Sequence, residues 1–484
     1  MNATLFDLLR WTPQFVVGCL VSVVGAPSLP AQAYPRTALT DKVDTIFDLE
    51  DDDSSPGYAV GIFKDGRIIY ARGYGLANLE YEIPMTPQTV FRIASMSKQF
   101  TAMCIALLAE QGKLSLDDDI RKFFPEMPEY ESPITVRHLV NHTSGMRDYM
   151  TLQGLVARGD YYNSEDALAM LLRQRGLRFN PGERYSYSNS GYFFLAALVE
   201  RVSGMKTSEF AREHVFEPLG MTETHFHDDL NVVVKNRASG YRQMDGGYRI
   251  HMTPLDLIGD GGIYTTIEDY FKWDQNFYEN KLGKSTQDLI ETMLTPGVLN
   301  SGEEITYALG LNVSTNRGLR TVSHSGSWVG FNTYAIRYPD QRFSVVAFSN
   351  GSRSPGRLVS QVADLYLADQ FTQAAPQRPD GRQPSRRPRQ VPAELQPISL
   401  LASQVQEYSG FYYSDELDAY AVLSPEEGAL TMRLGMHSGV MTAFPSGAFR
   451  WRRMSIEFVR GTGQSASALV LNANPSTFTF TRVQ

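Results

Sequence analysis

Ser95-Met96-Ser97-Lys98 sets a hydroxyl and an amine three residues apart. On a helix that spacing brings both side chains to one face. A serine hydroxyl is a weak nucleophile until a neighbouring base takes its proton, and acyl transfer also needs an acid for the leaving group and donors for the oxyanion. Ser95 stands at the start of a predicted helix, where free N–H groups and the macrodipole favour developing negative charge. Ser97 does not serve, because adjacent side chains diverge around a helix. Tyr187-Ser188-Asn189 offers a phenol and an amide, and His324-Ser325-Gly326 offers an imidazole before a small-residue turn. Together these residue types could hydrolyse an amide or ester through an acyl-serine.

Every one of these motifs has a decoy. In 484 residues about one chance Ser-x-x-Lys is expected, and Ser203-Gly204-Met205-Lys206 is a second match. Tyr-x-Asn recurs at Tyr161–Asn163 and Tyr278–Asn280, and His-Ser-Gly at His437–Gly439. Context separates them. Gly204 stops a helix between Ser203 and Lys206, which removes the shared face. Tyr187 follows Asn180-Pro181-Gly182 and ends where a helix begins, a turn suited to presenting side chains.

The elements that must hold this set read as strands at both ends with helices between. Residues 58–63 and 67–73 flank Lys64-Asp65-Gly66, a hairpin signal, and 331–338 pairs with 343–349 across Tyr338–Gln341. Helices are predicted over 95–111 and 190–203, stopped by Gly112 and Gly204. The pattern predicts an α/β sandwich: one antiparallel sheet flanked by helices. Residues 372–397 are rich in Pro, Arg and Gln, including Arg378, Arg382, Arg386, Arg387 and Arg389, and read as a solvated linker. Beyond it, 398–484 carries short strands (429–434, 449–459, 466–472, 477–483), the pattern of a small β-barrel or sandwich.

Residues 1–33 read as a signal peptide: Arg10, an apolar run over 16–25 and Ala31-Gln32-Ala33. The expected location is secreted or periplasmic. The run is too short to span a bilayer, so no stable membrane span is expected in the mature chain. The organisation is therefore 1–33 signal, 34–371 main domain, 372–397 linker and 398–484 accessory domain. A net charge of −8 argues against nucleic acid as a partner; the expected partner is a small-molecule or peptide substrate, with oligomeric state open. Of two cysteines, Cys19 leaves with the signal, so Cys104 stands alone as a buried small hydrophobe. No cofactor is expected. His225-Phe226-His227 lacks a third metal ligand and reads as a surface loop, and Glu50–Asp53 as a solvated one.

Longer blocks carry a resemblance. Phe91-Arg92-Ile93-Ala94-Ser95-Met96-Ser97-Lys98-Gln99-Phe100-Thr101-Ala102, Ile134–Met146, Pro181-Gly182 with Tyr187–Tyr192, Gly261-Gly262 with Glu268-Asp269, and His324–Gly330 occur in order over about residues 40–370. The chain resembles the class C β-lactamase and penicillin-binding-protein-like serine hydrolases, a group that includes D-aminopeptidases, esterases and CubicO-type peptidases. The resemblance implies an all-helical subdomain on the α/β sandwich and, more weakly, a lipocalin-like barrel. It implies Ser95 as nucleophile, Lys98 and Tyr187 as proton carriers, and Asn189 bonding Lys98 and the substrate amide. It also implies an oxyanion hole from the N–H groups of Ser95 and Ser327, beyond His324 and Gly326. Many β-lactamases carry lysine where His324 stands. A histidine is mostly neutral at pH 7, which weakens the case for β-lactams or free C-terminal carboxylates. The expectation is a peptidase or esterase; the alternatives are a β-lactamase or D-alanyl-D-alanine carboxypeptidase, or an inactive penicillin-sensor-like binding protein. His138 and His142 are expected to hold structure, and Trp328 and Tyr149 either line the pocket or pack. Ser95→Ala should abolish labelling by a fluorophosphonate, while Ser97→Ala and Ser203→Ala retain it, read as adduct mass on the intact chain.

Overall fold

The computed structural model describes residues 36–48, 54–156, 163–374, 396–426, 429–460, 465–474 and 476–483. The signal-like segment, the acidic run Glu50–Asp53, Tyr161 and most of the Pro/Arg-rich stretch lie outside the described residues. Strands β1 (Tyr58–Lys64), β2 (Arg67–Tyr74), β3 (Asn312–Asn316), β4 (Leu319–Trp328), β5 (Phe331–Tyr338) and β6 (Phe343–Ser349) form one antiparallel sheet in the order β3-β4-β5-β6-β1-β2. The expected hairpin turn is present: Asp65 and Gly66 both have positive φ, 49° and 77°, as a two-residue turn matching strand twist requires. The first and last parts of this lobe meet where β1 pairs with β6, Tyr58 opposite Ser349.

Helices α1 (Ala38–Asp48), α2 (Lys98–Glu110), α3 (Asn189–Ser203), α4 (Ile267–Asn276) and α5 (Gly356–Tyr366) cover the sheet. The strand period of two explains how one strand serves two layers. Tyr58, Val60 and Ile62 pack with Val43 and Phe47 of α1 and Val359 and Val362 of α5. Ala59 and Phe63 face the opposite core, which α2, α3 and α4 build. Gly61 lets α4 come close, since a Cβ there would lie 2.6 Å from Ile267 Cγ2. The sandwich is therefore the expected α/β one, with short helices at Val136–Val140, Tyr149–Val156 and Ser164–Leu172 forming the helical region beside α3. Cys104 is fully buried on α2.

The β-rich remainder forms a nine-stranded antiparallel sheet running from His437–Val440 to Thr442–Ala443. These two edge strands are separated only by Met441, so the sheet curls into a nearly closed barrel. Four strands follow the sequence reading, except that 449–459 breaks in two at Arg452, which has φ 56°. Gly410–Ser414, Ala419–Glu426, His437–Val440 and Thr442–Ala443 were not anticipated. The barrel grips the other lobe at Arg147, which donates to Glu416 Oε1 (2.8 Å), Thr477 O (3.0 Å) and Gln174 Oε1 (2.8 Å) and lies over the Phe478 ring. Glu416 Oε1 also takes the Arg175 N–H at 2.7 Å.

Breaking a buried pair strands the remaining charge, whereas replacing both partners with apolar groups is far less costly. Arg147→Ala should lower stability by about 3–5 kcal/mol. Arg147→Met combined with Glu416→Leu should cost much less. Urea unfolding midpoints with matched m-values check both.

Candidate active site

Ser95 lies on a single 3₁₀ turn, Ala94–Ser97, that runs directly into α2. Ala94 has φ 49°, a left-handed conformation that non-glycine residues adopt at a cost of order 1–3 kcal/mol. The turn is held from both sides. Ser97, fully buried, donates its hydroxyl to Ala94 O (2.6 Å) and accepts the Ile263 N–H (3.0 Å). Gly326 on β4 is glycine because a Cβ would sit 2.3 Å from both Ile93 O and Thr333 Oγ1. The strand edge is thereby brought against the turn, and the next residues, Ser327 and Trp328, reach the pocket.

Lys98 is fully buried one turn on. Its ammonium donates to Asp260 O at 2.7 Å, Asn189 Oδ1 at 2.9 Å and Ser95 Oγ at 3.3 Å. Burial depresses its pKa to about 8, against the opposing pull of Asp260 and Asp148. Asn189 is the first residue of α3; its N–H is taken by Asp148 Oδ2 (2.7 Å) and its amide N–H donates to Met150 Sδ (3.4 Å), which fixes Oδ1 toward Lys98. Tyr187 is 39% exposed, and its ring lies 4.9 Å from Lys98 Nζ. Burial of the phenol oxygen drives its pKa up, well above the usual tyrosine value, with the neighbouring Ser95 hydroxyl acting the other way.

Ser95, Tyr187, Asn189 and Ser327 share a cavity of about 260 Å³ with Tyr149, Met150, Leu255, Leu257, Asp260 and Trp328. His324 is not in its wall. It is buried, with Nδ1 2.6 Å from Ser325 O and Nε2 3.0 Å from the Tyr307 hydroxyl. Burial, reinforced by Lys98, lowers its pKa to about 4. The neutral ring must donate from Nδ1 to the carbonyl, so Nε2 accepts from Tyr307. Direct substrate binding by His324, expected from the sequence, gives way to a buried supporting position, and the ring cannot lend Tyr187 a cation near neutrality.

His142 lies under Tyr187, ring centroids 4.3 Å apart, and its Nδ1 accepts the Ser188 N–H. His138 closes a capping box with Thr135. Both therefore hold backbone. Of the decoys, Ser203 spends its hydroxyl on Val199 O, Asn280 bonds Leu282 O and Thr286 O, and His437 lies on the barrel 2.8 Å from Gly154 O. His225 and His227 do not form a surface loop: His225 is strand, His227 is 2% exposed, and both rings pack on Tyr264. Among the described residues no group of three or more metal-ligating side chains occurs.

Sequence reasoning passed over Asp148, Asp260 and Tyr307. Asp260 sits between the Gly259 turn and the Gly261-Gly262 pair, a place where an acid in a glycine-rich block was the available signal. Tyr307 gave none, since it comes from a region with no motif.

The chain is 36% identical over 307 residues to penicillin-binding protein 4* of Bacillus subtilis (strain 168), an overlap of 59% of this chain and 66% of that protein. It is 30% identical over 316 residues to a D-aminopeptidase of Brucella anthropi, an overlap of 64% and 59%. The chain thus spans less than two thirds of the length of either relative. The octameric penicillin-binding protein homologue from Pyrococcus abyssi shares the fold, with a TM-score of 0.60 over 91% of this chain and 99% of that one at 24% identity. The model of the Beta-lactamase family matches residues 43–369, a span that contains the whole cavity described above, and the chain belongs to that family.

Proposed function

We propose that this protein is an exported serine hydrolase that cleaves amides or esters through an acyl-enzyme on Ser95. One observation carries the reading. Two of the three partners of Lys98 Nζ, Asp260 O and Asn189 Oδ1, are oxygens that can only accept. When Lys98 loses a proton, its two remaining N–H bonds stay on those oxygens. The lone pair is then directed at the third partner, Ser95 Oγ, at 3.3 Å. A neutral amine so aimed is a base for that hydroxyl and no other.

The steps follow. Ser95 Oγ attacks the carbonyl carbon as its proton passes to Lys98 Nζ. The tetrahedral oxyanion is met by the N–H groups of Ser95 and Ser327, as the family resemblance implies. Collapse breaks the bond to the leaving nitrogen or oxygen, which takes a proton from Tyr187, and the phenolate regains a proton from Lys98 Nζ, the one that left Ser95, so both groups return to their starting states. Water repeats the sequence on the acyl-serine. Tyr187 suits the acid half because its raised pKa keeps it a phenol, and Lys98 suits the base half because its pKa lies near working pH.

The names of the relatives bring D-amino-acid amides and peptides forward as the substrate class. Residues 1–33 support export, and the 398–484 barrel is proposed as an accessory domain joined through 372–397.

A panel of p-nitrophenyl esters, D-amino-acid p-nitroanilides and nitrocefin, with intact-mass detection of an adduct on Ser95, tests the reading. Turnover with no adduct on Ser95 would overturn it. For a neutral ester, kcat/KM should fall about tenfold per pH unit below about 8 and level above it, because only neutral Lys98 accepts the Ser95 proton. Tyr187→Phe should lower kcat by about 10²–10⁴-fold, with fluorophosphonate labelling slowed rather than lost.

A further inference from the structure

We propose that Asp260 is the receptor for a positively charged amino group of the substrate, so that the preferred acyl donor is an amino acid with a free amine. This rests on Ser95 as the nucleophile. Asp260 is 5% exposed, and that small exposure opens into the cavity that Ser95 lines. One carboxylate oxygen, Oδ2, takes the Tyr149 hydroxyl at 3.0 Å. Its other oxygen meets no hydrogen-bond donor among the described residues, and it is not sealed away from the cavity. An isolated buried carboxylate is costly unless a cation or donor meets it. Because the backbone oxygen of this same residue holds Lys98, the carboxylate cannot be far from the reacting serine. The rest of the wall is largely apolar, with Met150, Leu255, Leu257 and Trp328. A ligand that satisfies both features carries one ammonium and one apolar side chain on the acyl side of the scissile bond.

The charges nearby sharpen this. Asp260 is surrounded by Lys98, Arg92 and Asp148, with the Tyr149 phenol neutral. Arg92 also lines the cavity, forms no ion pair with Asp260 and leaves Nε and Nη1 without a partner. Two carboxylates and two cations cancel while Lys98 is protonated. Attack requires Lys98 neutral, and the cluster then holds one uncompensated negative charge. A substrate ammonium at Asp260 restores the balance. By the same Coulomb term it disfavours the protonated form of Lys98, so binding of the correct substrate promotes the base that consumes it. An anionic substrate group would do the opposite.

The test compares leucine p-nitroanilide with its N-acetyl form, using both enantiomers, in the wild-type chain and in Asp260→Asn. In the wild type the free amine should be preferred in kcat/KM by at least about tenfold; equal rates, or preference for the acetylated form, would overturn the proposal without any variant having to fold. In Asp260→Asn the free-amine substrate should lose roughly tenfold to a hundredfold relative to the acetylated one, the size of one desolvated charge pair. An unchanged ratio in a variant that still labels with fluorophosphonate would also overturn it. Failure of both proteins to acquire the label on Ser95 would instead strike the underlying hydrolase reading. The pH dependence of kcat, which reports the substrate-bound enzyme, supplies a further check: its acid limb should lie lower for the free-amine substrate than for a neutral ester, and a limb that is equal or higher contradicts the coupling.

Discussion

A fully buried ammonium, Lys98 Nζ, is the constraint around which the rest is arranged. Removing a cation from water is unfavourable unless its donors are met, and here each of the three is met: by Asp260 O, Asn189 Oδ1 and Ser95 Oγ. Those three acceptors come from three separate parts of the chain. Each must be anchored, and the anchors account for much of the local structure. Asp148 fixes the first turn of α3, Ser97 and Gly326 fix the turn that carries Ser95, and Gly259, just before Asp260, lets that loop lie against α3, where a Cβ would be 2.5 Å from Tyr192 O.

The same constraint assigns unequal work to two groups that have similar pKa values in water. Burial acts on both Lys98 and Tyr187, but it disfavours a cation in one and an anion in the other. The two pKa values therefore move apart, the amine toward neutrality and the phenol away from it. His324, neutral and facing Tyr307, has no part in that separation. The positive field at the site comes from Lys98 and Arg92.

Much of this was legible in the sequence where short-range rules apply. The hairpin at Asp65-Gly66, the end of α3 at Gly204 and the pairing of β5 with β6 follow from turn chemistry and apolar period. Ser95 and Lys98 were legible because three residues on a helix is a local distance, and the decoy Ser203–Lys206 was separable for the same reason. What escaped was non-local. Asp260 reaches Lys98 from 162 residues away and was missed, whereas Asn189, 91 residues away, was tied to Lys98 only through the family resemblance. The burial of His324 depends on Tyr307, which no motif announces. The protonation balance escaped too, since residue types reveal which groups titrate but not how much water they keep. In the barrel, two of the missed strands, His437–Val440 and Thr442–Ala443, are only four and two residues long, too short for an alternation to show.

Arg147 carries a consequence in time. It neighbours Asp148, which holds the start of α3, and its own partners include Glu416 and the backbone of Thr477, 269 and 330 residues further along the chain. Contacts of such separation form late, because loop closure must precede any reward for them. During synthesis and folding, the segment bearing Asp148 and Tyr149 lacks its outer support until the barrel has closed and docked. A half-made chain, although it already holds Ser95 and Lys98, has not yet gained the support that Glu416 and Thr477 give to Arg147.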